Sequence, residues 1–411
     1  MTLTRENRQA LLAKIDQLVT TKYYDPSYGG NDWTVIVSCY QDEILGAKTD
    51  ESFEKSVLTM LGQLPSAELG LLSPSTKIQP RSSINASVRS VTKESGGPQW
   101  VFQDVLPGGV AARAGIRPGD SLVSIAGVAT RPPQPPAFPM NERVPITIYR
   151  AGMRHELELK LSIQKPKYKS NPYSEPSSVT AALRGKDVGI MRVGLFPGFL
   201  GVDFANDVSR HFAQTFASIK RLLIDLRGNP GGGIGGLRIM SHLTPSRVPI
   251  GYSIDRPTAE RGYEKEQLPR FHHIPRFKWE LPLLAFRFYN KKSVVLETEG
   301  LGRQPFHGRV VVLCNEHSTG AAEMLAQFAK ENHLATIVGA RTRGHLISRS
   351  AFPIGHGYQL VVPVAAYKSW QGMQIEGNGV EPDFPSPWSF EDAIEQKDSQ
   401  LQEALQVLEQ L

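Results

Sequence analysis

Cysteine is nearly missing from this chain: Cys39 and Cys314 are the only two in 411 residues. Two thiols so far apart in sequence build neither a disulfide framework nor a cysteine metal cluster. Also missing is any apolar run long enough to cross a bilayer, so no integral membrane segment is expected. The N-terminus, MTLTRENRQALLAKIDQL, carries charges where a secretory signal needs an apolar stretch, and the chain reads as soluble. Runs of like charge are absent as well. Lys and Arg number 46 against 40 Asp and Glu, for a formal charge of +6, and the two signs are interleaved, which argues against nucleic-acid binding. A hydrophobic fraction of 40% and a charged fraction of 21% fit neither a disordered nor a fibrous class. A chain of this length divides into two or three units, each with its own core.

Apolar residues at helical spacing, Leu11, Ile15 and Leu18 and then Phe53, Val57, Leu61 and Leu64, predict a helical region over residues 1–75, interrupted by a turn at residues 24–30. Residues 73–83 shift to Ser, Pro and Lys and read as a linker. A small β-rich domain follows over 84–165, with strand-like runs at 100–105, 121–125 and 144–149. A second polar linker covers 166–185. From 186 to 390, strand-like runs at 187–193, 222–226, 310–313, 336–338 and 359–362 alternate with helical patterns, which predicts an α/β core. Within it, residues 245–304 form a long insertion rich in aromatic and basic residues without periodicity, the kind of segment that serves as a lid or binding loop. Residues 391–411 close the chain with a helix.

Three local patterns carry chemistry. Gly109 to Asp120, a short helix stopped by Gly115 and a Pro-Gly-Asp turn into the strand at 121–125, is similar to the PDZ domains of bacterial proteases, whose role is to add an extended peptide as a strand. The carboxylate-binding loop of that family has only Ile84-Asn85-Ala86-Ser87 as its counterpart. Next, Asp225-Leu226-Arg227-Gly228-Asn229-Pro230-Gly231-Gly232-Gly233 runs a buried strand into a glycine loop whose bare N–H groups can approach a substrate and hold an oxyanion. Finally, Cys314-Asn315-Glu316-His317-Ser318-Thr319-Gly320-Ala321-Ala322-Glu323 turns a strand sharply into a helix N-terminus, followed later by Thr342-Arg343-Gly344-His345 and Ile375-Glu376-Gly377-Asn378-Gly379.

In this order, these blocks resemble the tail-specific, or carboxyl-terminal processing, serine peptidases, and the likeness extends to the Tyr23-Tyr24-Asp25-Pro26 turn and Asp32-Trp33. The resemblance implies a multidomain α+β fold with a crotonase-like core, and a PDZ module feeding a peptide or unfolded protein to a serine–lysine dyad without metal or cofactor. It also implies a place of work outside the cytoplasm. Anchored on Glu323, the family's serine falls on Gly320 and its lysine on His345. Histidine titrates near neutrality and is a sensible base. Glycine has nothing to attack with. Ser318, or Thr319 beside it, is therefore the candidate nucleophile, with His345 as base, Gly231, Gly232, Gly320 and Ala321 lining the oxyanion and substrate site, and Arg227 available for a peptide carboxylate. Each role has a plainer alternative: Ser318 as a cap of the following helix, Arg227 in a core ion pair, Glu323 in a capping box alone, and Cys314, a further candidate nucleophile, as a buried inert thiol. A catalytically inactive, peptide-binding protein is the alternative that Gly320 keeps open.

Overall fold

The computed structural model describes residues 3–65, 68–73, 84–92, 97–138, 143–161, 178–288, 292–302 and 306–411. Most of the first expected linker (74–83), residues 166–177 of the second, and 289–291 and 303–304 of the insertion lie outside them.

Three helices open the chain, α1 (Arg5–Lys22), α2 (Trp33–Gly46) and α3 (Asp50–Leu61). Their starts are fixed by side-chain caps: Thr4 accepts from the Asn7 amide, Asp32 from Thr34 and Val35, and Thr49 and Ser52 cap each other. Between α1 and α2 the Asp25 carboxylate accepts from the amides of Ser27 and Gly29, which closes the turn read at 24–30. The short strand β1 (Gly70–Leu72) completes this unit.

The second unit is a sheet of β2 (Ala86–Thr92), β3 (Pro98–Val105), β4 (Ser121–Ile125), β5 (Val128–Ala129), β6 (Arg143–Arg150) and β7 (Met153–Lys160), with α4 (Val110–Arg113) against it. The order is β2-β3-β4-β6-β7, with β5 on β4, so β2 is an edge strand. Gly115, at φ +85°, ends α4, and Asp120 accepts from the Arg117 amide and pairs with Arg150, fixing the turn into β4.

The core contains β8 (Val179–Arg184), β9 (Val188–Val193), α5 (Val202–Gln214), β10 (Arg221–Asp225), α6 (Gly236–His242), β11 (Pro249–Asp255), α7 (Arg256–Arg261), β12 (Arg270–Phe271), α8 (Leu281–Arg287), β13 (Val294–Glu297), β14 (Arg309–Cys314), α9 (Ala321–Glu331), β15 (Thr336–Gly339), β16 (Ile347–Gly355), β17 (Tyr358–Ser369) and β18 (Phe384–Pro385). Its main sheet runs β18-β15-β14-β10-β9-β8, parallel except where β8 pairs with β9. Strand alternation divides the apolar side chains: Leu222, Ile224, Val310 and Val312 join the helices α5, α6 and α9, while Leu223, Val311 and Leu313 join the last helix. That end of the chain is two helices, α10 (Phe390–Ile394) and α11 (Ser399–Gln410). The single closing helix expected over 391–411 is thus broken in two, and Ile394, at the end of the first piece, is 43% exposed.

The second core sheet runs β1-β17-β11-β13-β12, with β16 on β17. The insertion thus contributes regular strands, and the strand read at 359–362 extends over the whole of β17. Leu360, Val362 and Val364 of β17 pack under α1 and α3, so the N-terminal helices share a core with this sheet.

Candidate active site

The site forms where β14 turns into α9. Gly320 sits at the tip with φ 61° and ψ −120°, a backbone state that L side chains rarely adopt. Its amide donates to the carbonyl of His345 at 3.0 Å and to Glu323 Oε2 at 2.9 Å. Glu323 is fully buried, yet both oxygens are saturated: Oε1 accepts from Thr342 Oγ1 (2.7 Å) and the Gly344 amide (2.6 Å), and Oε2 also accepts from the His345 amide (3.0 Å). A carboxylate removed from water needs such donors, and these four fasten the tip to the loop at residues 342–345, where the base is expected and which is called the base loop below. Behind that loop, Thr342 Oγ1 accepts from the Val380 amide at 2.7 Å and Gly344 O from the Gly377 amide at 2.8 Å. The role read for Glu323 as a simple capping box is therefore only one quarter of what it does.

The glycine loop leaves β10 and lies against the same tip. A Cβ on Gly231 would stand 2.7 Å from Thr319 O and 3.2 Å from Ala321 N, and one on Gly232 would strike Phe196 O at 2.0 Å, so glycine is required at both positions. Buried Asn229 sets the loop: it donates to Val193 O, accepts from the Gly231 amide at 2.8 Å, and offers its carbonyl to the Thr319 amide at 2.9 Å. Gly231 N–H is thus turned inward. Among the described hydrogen bonds, none has the amide of Gly232 or Ala321 as its donor.

Ser318 is not placed as a nucleophile should be. It is fully buried, and its hydroxyl donates to Leu226 O at 2.8 Å while accepting from the Asn315 amide at 3.1 Å, a crosslink between the end of β10 and the turn. Nor does it cap α9. Thr319 is 7% exposed. Arg227, expected to meet a peptide carboxylate, is committed to Asp225 through Nε and one terminal nitrogen and to Asp398 at 2.7 and 2.9 Å. Cys314 is fully buried, and burial pushes its thiol up, away from the reactive thiolate. His317 is buried as well.

His345 does carry a partner that no local pattern announces. Its Nδ1 lies 3.0 Å from Glu68 Oε1, and the other oxygen of Glu68 pairs with Arg349. Glu376 stands in the same group, accepting from the Leu346 amide at 2.8 Å; burial pushes its carboxyl up, against the opposing pull of His345. Glu68 precedes β1 in the first unit, so only the packing of β1 on β17 brings it to the base loop.

The PDZ-type domain abuts this site. Asp104, on β3, accepts from Asn315 Nδ2 at 2.9 and 3.1 Å, and Glu316 pairs with Arg89 at 2.8 Å and with Gln103 at 3.2 Å. On its far side Gln396 donates to Pro118 O at 3.1 Å. The Ile84 carbonyl and Asn85 side chain accept from the first amides of α4, while β2, among the described residues, pairs on one side only, with β3.

Known proteins resemble this chain over most of its length. The profile of Peptidase family S41 matches residues 187–386, and a PDZ domain profile matches residues 101–137. A carboxyl-terminal-processing protease of Synechocystis sp. is 23% identical across 97% of this chain and 86% of its own length. Carboxyl-terminal-processing peptidase 2 of Arabidopsis thaliana, a chloroplastic protein, is 24% identical across 94% and 70%. Among solved structures, the photosystem II D1 C-terminal processing protease superposes with a TM-score of 0.57 over 98% of this chain and 97% of its own, at 19% identity.

Proposed function

The chain belongs to the tail-specific, carboxyl-terminal processing serine peptidase family, and we propose that within it this protein binds polypeptide ends without cutting them by the serine route. What supports this reading is the tip residue: by the family resemblance the nucleophile is expected at Gly320, which has no side chain, and the hydroxyl of Ser318, two residues before it, is buried and bonded on both sides. What a peptide needs for binding is retained. An extended segment can add to the outer edge of β2, and the glycine loop and helix N-terminus supply N–H donors to a carbonyl or a terminal carboxylate.

A second reading, hydrolysis by Thr319 with His345 as base, draws on one contact. Glu68 accepts at His345 Nδ1, the arrangement that holds an imidazole ready to accept a proton at Nε2. The two readings part on labelling. The parent protein is expected neither to react with a fluorophosphonate probe nor to cut an unfolded substrate, and Gly320→Ser, alone or with His345→Lys, is expected to gain labelling. A serine Cβ fits, its nearest neighbour being Gly231 Cα at 3.4 Å. The positive φ should lower stability by about 1–3 kcal/mol without unfolding the chain. Turnover by the parent that disappears in Thr319→Val and His345→Ala would overturn the binding-only reading.

A further inference from the structure

Arg227 is spent on Asp225 and Asp398, so it is not the cation that a peptide carboxylate would meet. Another cation-forming group stands at the tip itself. The carbonyl of His345 accepts from the Gly320 amide at 3.0 Å and its amide donates to Glu323, which fixes the backbone of this histidine against the start of α9. Its side chain is 27% exposed, with Nδ1 3.0 Å from Glu68 Oε1. Glu68 is itself held, since its other oxygen pairs with Arg349 on β16. A carboxylate at Nδ1 favours the imidazolium form, a ring with a full positive charge and an N–H on each nitrogen.

The tip beside this histidine is open. Among the described residues, a Cβ on Gly320 would meet only Gly231 Cα at 3.4 Å and His345 O at 3.8 Å, its chain neighbours aside. By the family resemblance that space belongs to a serine side chain; with glycine there, it admits an atom of the ligand. A terminal carboxylate has one oxygen more than an internal peptide carbonyl, and it has a negative charge to pair.

We propose that the space over Gly320 takes one oxygen of a polypeptide's terminal carboxylate and that the His345 imidazolium, backed by Glu68, pairs with its charge. This inference rests on the reading that chain ends bind in this cleft, and it gives that binding a pH dependence: ends are held more tightly where the histidine is protonated. The other charged groups around the ring do not supply the same dependence. Glu68 and Arg349 pair with each other, Glu323 is saturated by four donors, and Arg343, exposed on the base loop, stays charged throughout. Burial pushes the hydroxyls of Tyr23 and Tyr24, which face Glu376, upward, so both stay neutral. Glu376 needs a control of its own. Burial pushes its carboxyl up, and its ionisation would repel an anion in the same pH direction.

A short rhodamine-labelled peptide of alanine and serine, ending in a free carboxylate or in a carboxamide, is titrated with the full chain from about pH 5.5 to about pH 8.5. Binding is read by fluorescence anisotropy. The free acid is expected to bind about tenfold more tightly than the amide at the acid end, with the preference shrinking toward the alkaline end. His345→Gln should lose the preference, whereas His345→Lys should keep it at every pH, because lysine stays charged across the range. Gly320→Ser should weaken the free acid selectively, and Glu376→Gln should leave the pH trend in place. Equal binding of the two peptides by the parent at every pH would overturn this inference and leave the broader reading standing. So would a preference that survives in His345→Gln, which would place carboxylate recognition elsewhere, or a pH trend that vanishes in Glu376→Gln. Absence of binding by either peptide would overturn the reading and the inference together.

Discussion

Arg227→Met is expected to lower the unfolding free energy of the core by about 3–5 kcal/mol, the cost of leaving a buried charge without its partner. Asp225, which is 3% exposed, accepts from the Arg227 amide, Nε and one terminal nitrogen at 2.9 to 3.1 Å. Burial alone would push its carboxyl up, but Arg227, with help from Arg192 and the hydrogen bonds, more than offsets this and holds it below the usual range. A carboxyl depressed in the folded state stabilises the protein above its unfolded pKa, and that contribution is lost as pH falls through the folded value. In Arg227→Met the burial effect prevails and the sign reverses, because Asp225 then folds more readily protonated. Urea unfolding from about pH 4 to about pH 8 should show the largest gap between parent and variant at neutral pH and a narrowing gap toward acid. A constant gap would mean that Asp225 is not the group left unpaired. Because Arg227 also reaches Asp398, the N-cap of α11, the same substitution should speed amide exchange at the start of that helix.

Features set by neighbouring residues were legible in the sequence. The alternation of β10 and β14, the α4 helix stopped by Gly115, and the glycine requirement at Gly231 and Gly232 are local consequences of strand pleat, left-handed backbone and close approach. Contacts across units were not legible. Glu68 reaches His345 only through the pairing of β1 with β17, and the Asp104–Asn315 contact only through domain docking. The strands β11 and β13 escaped notice inside the insertion because Gly251 and Ser253 interrupt the apolar run of β11 and β13 is only four residues long. Ser318 shows the limit most directly. Its position one turn from the tip is readable, but whether its hydroxyl faces a cleft or a carbonyl depends on where β10 ends, and Leu226 O takes it.

Glu323→Gln tests whether the tip and the base loop are held by one carboxylate. A carboxylate can only accept, and all four of its contacts come from donors, the hydroxyl of Thr342 and the amides of Gly320, Gly344 and His345. The glutamine NH2 would face two of them with hydrogen against hydrogen. If it lies on the Oε1 side the Thr342 hydroxyl can rotate away, but the Gly344 amide cannot; on the Oε2 side both opposing groups are backbone amides. At least one buried backbone N–H is therefore left unpaired in either orientation, and charge-assisted bonds become neutral ones. A loss of about 3 kcal/mol is expected, with Glu323→Ala losing at least as much. The loss should be local before it is global, with amide exchange at Gly320, Gly344 and His345 accelerating far more than in β10 or β14. In the background of Gly320→Ser, adding Glu323→Gln should abolish whatever labelling the new serine gains, since the tip would no longer be held against the base loop. Stability and labelling both unchanged by Glu323→Gln would show that the glycine loop and the packing of α9 position the tip without it.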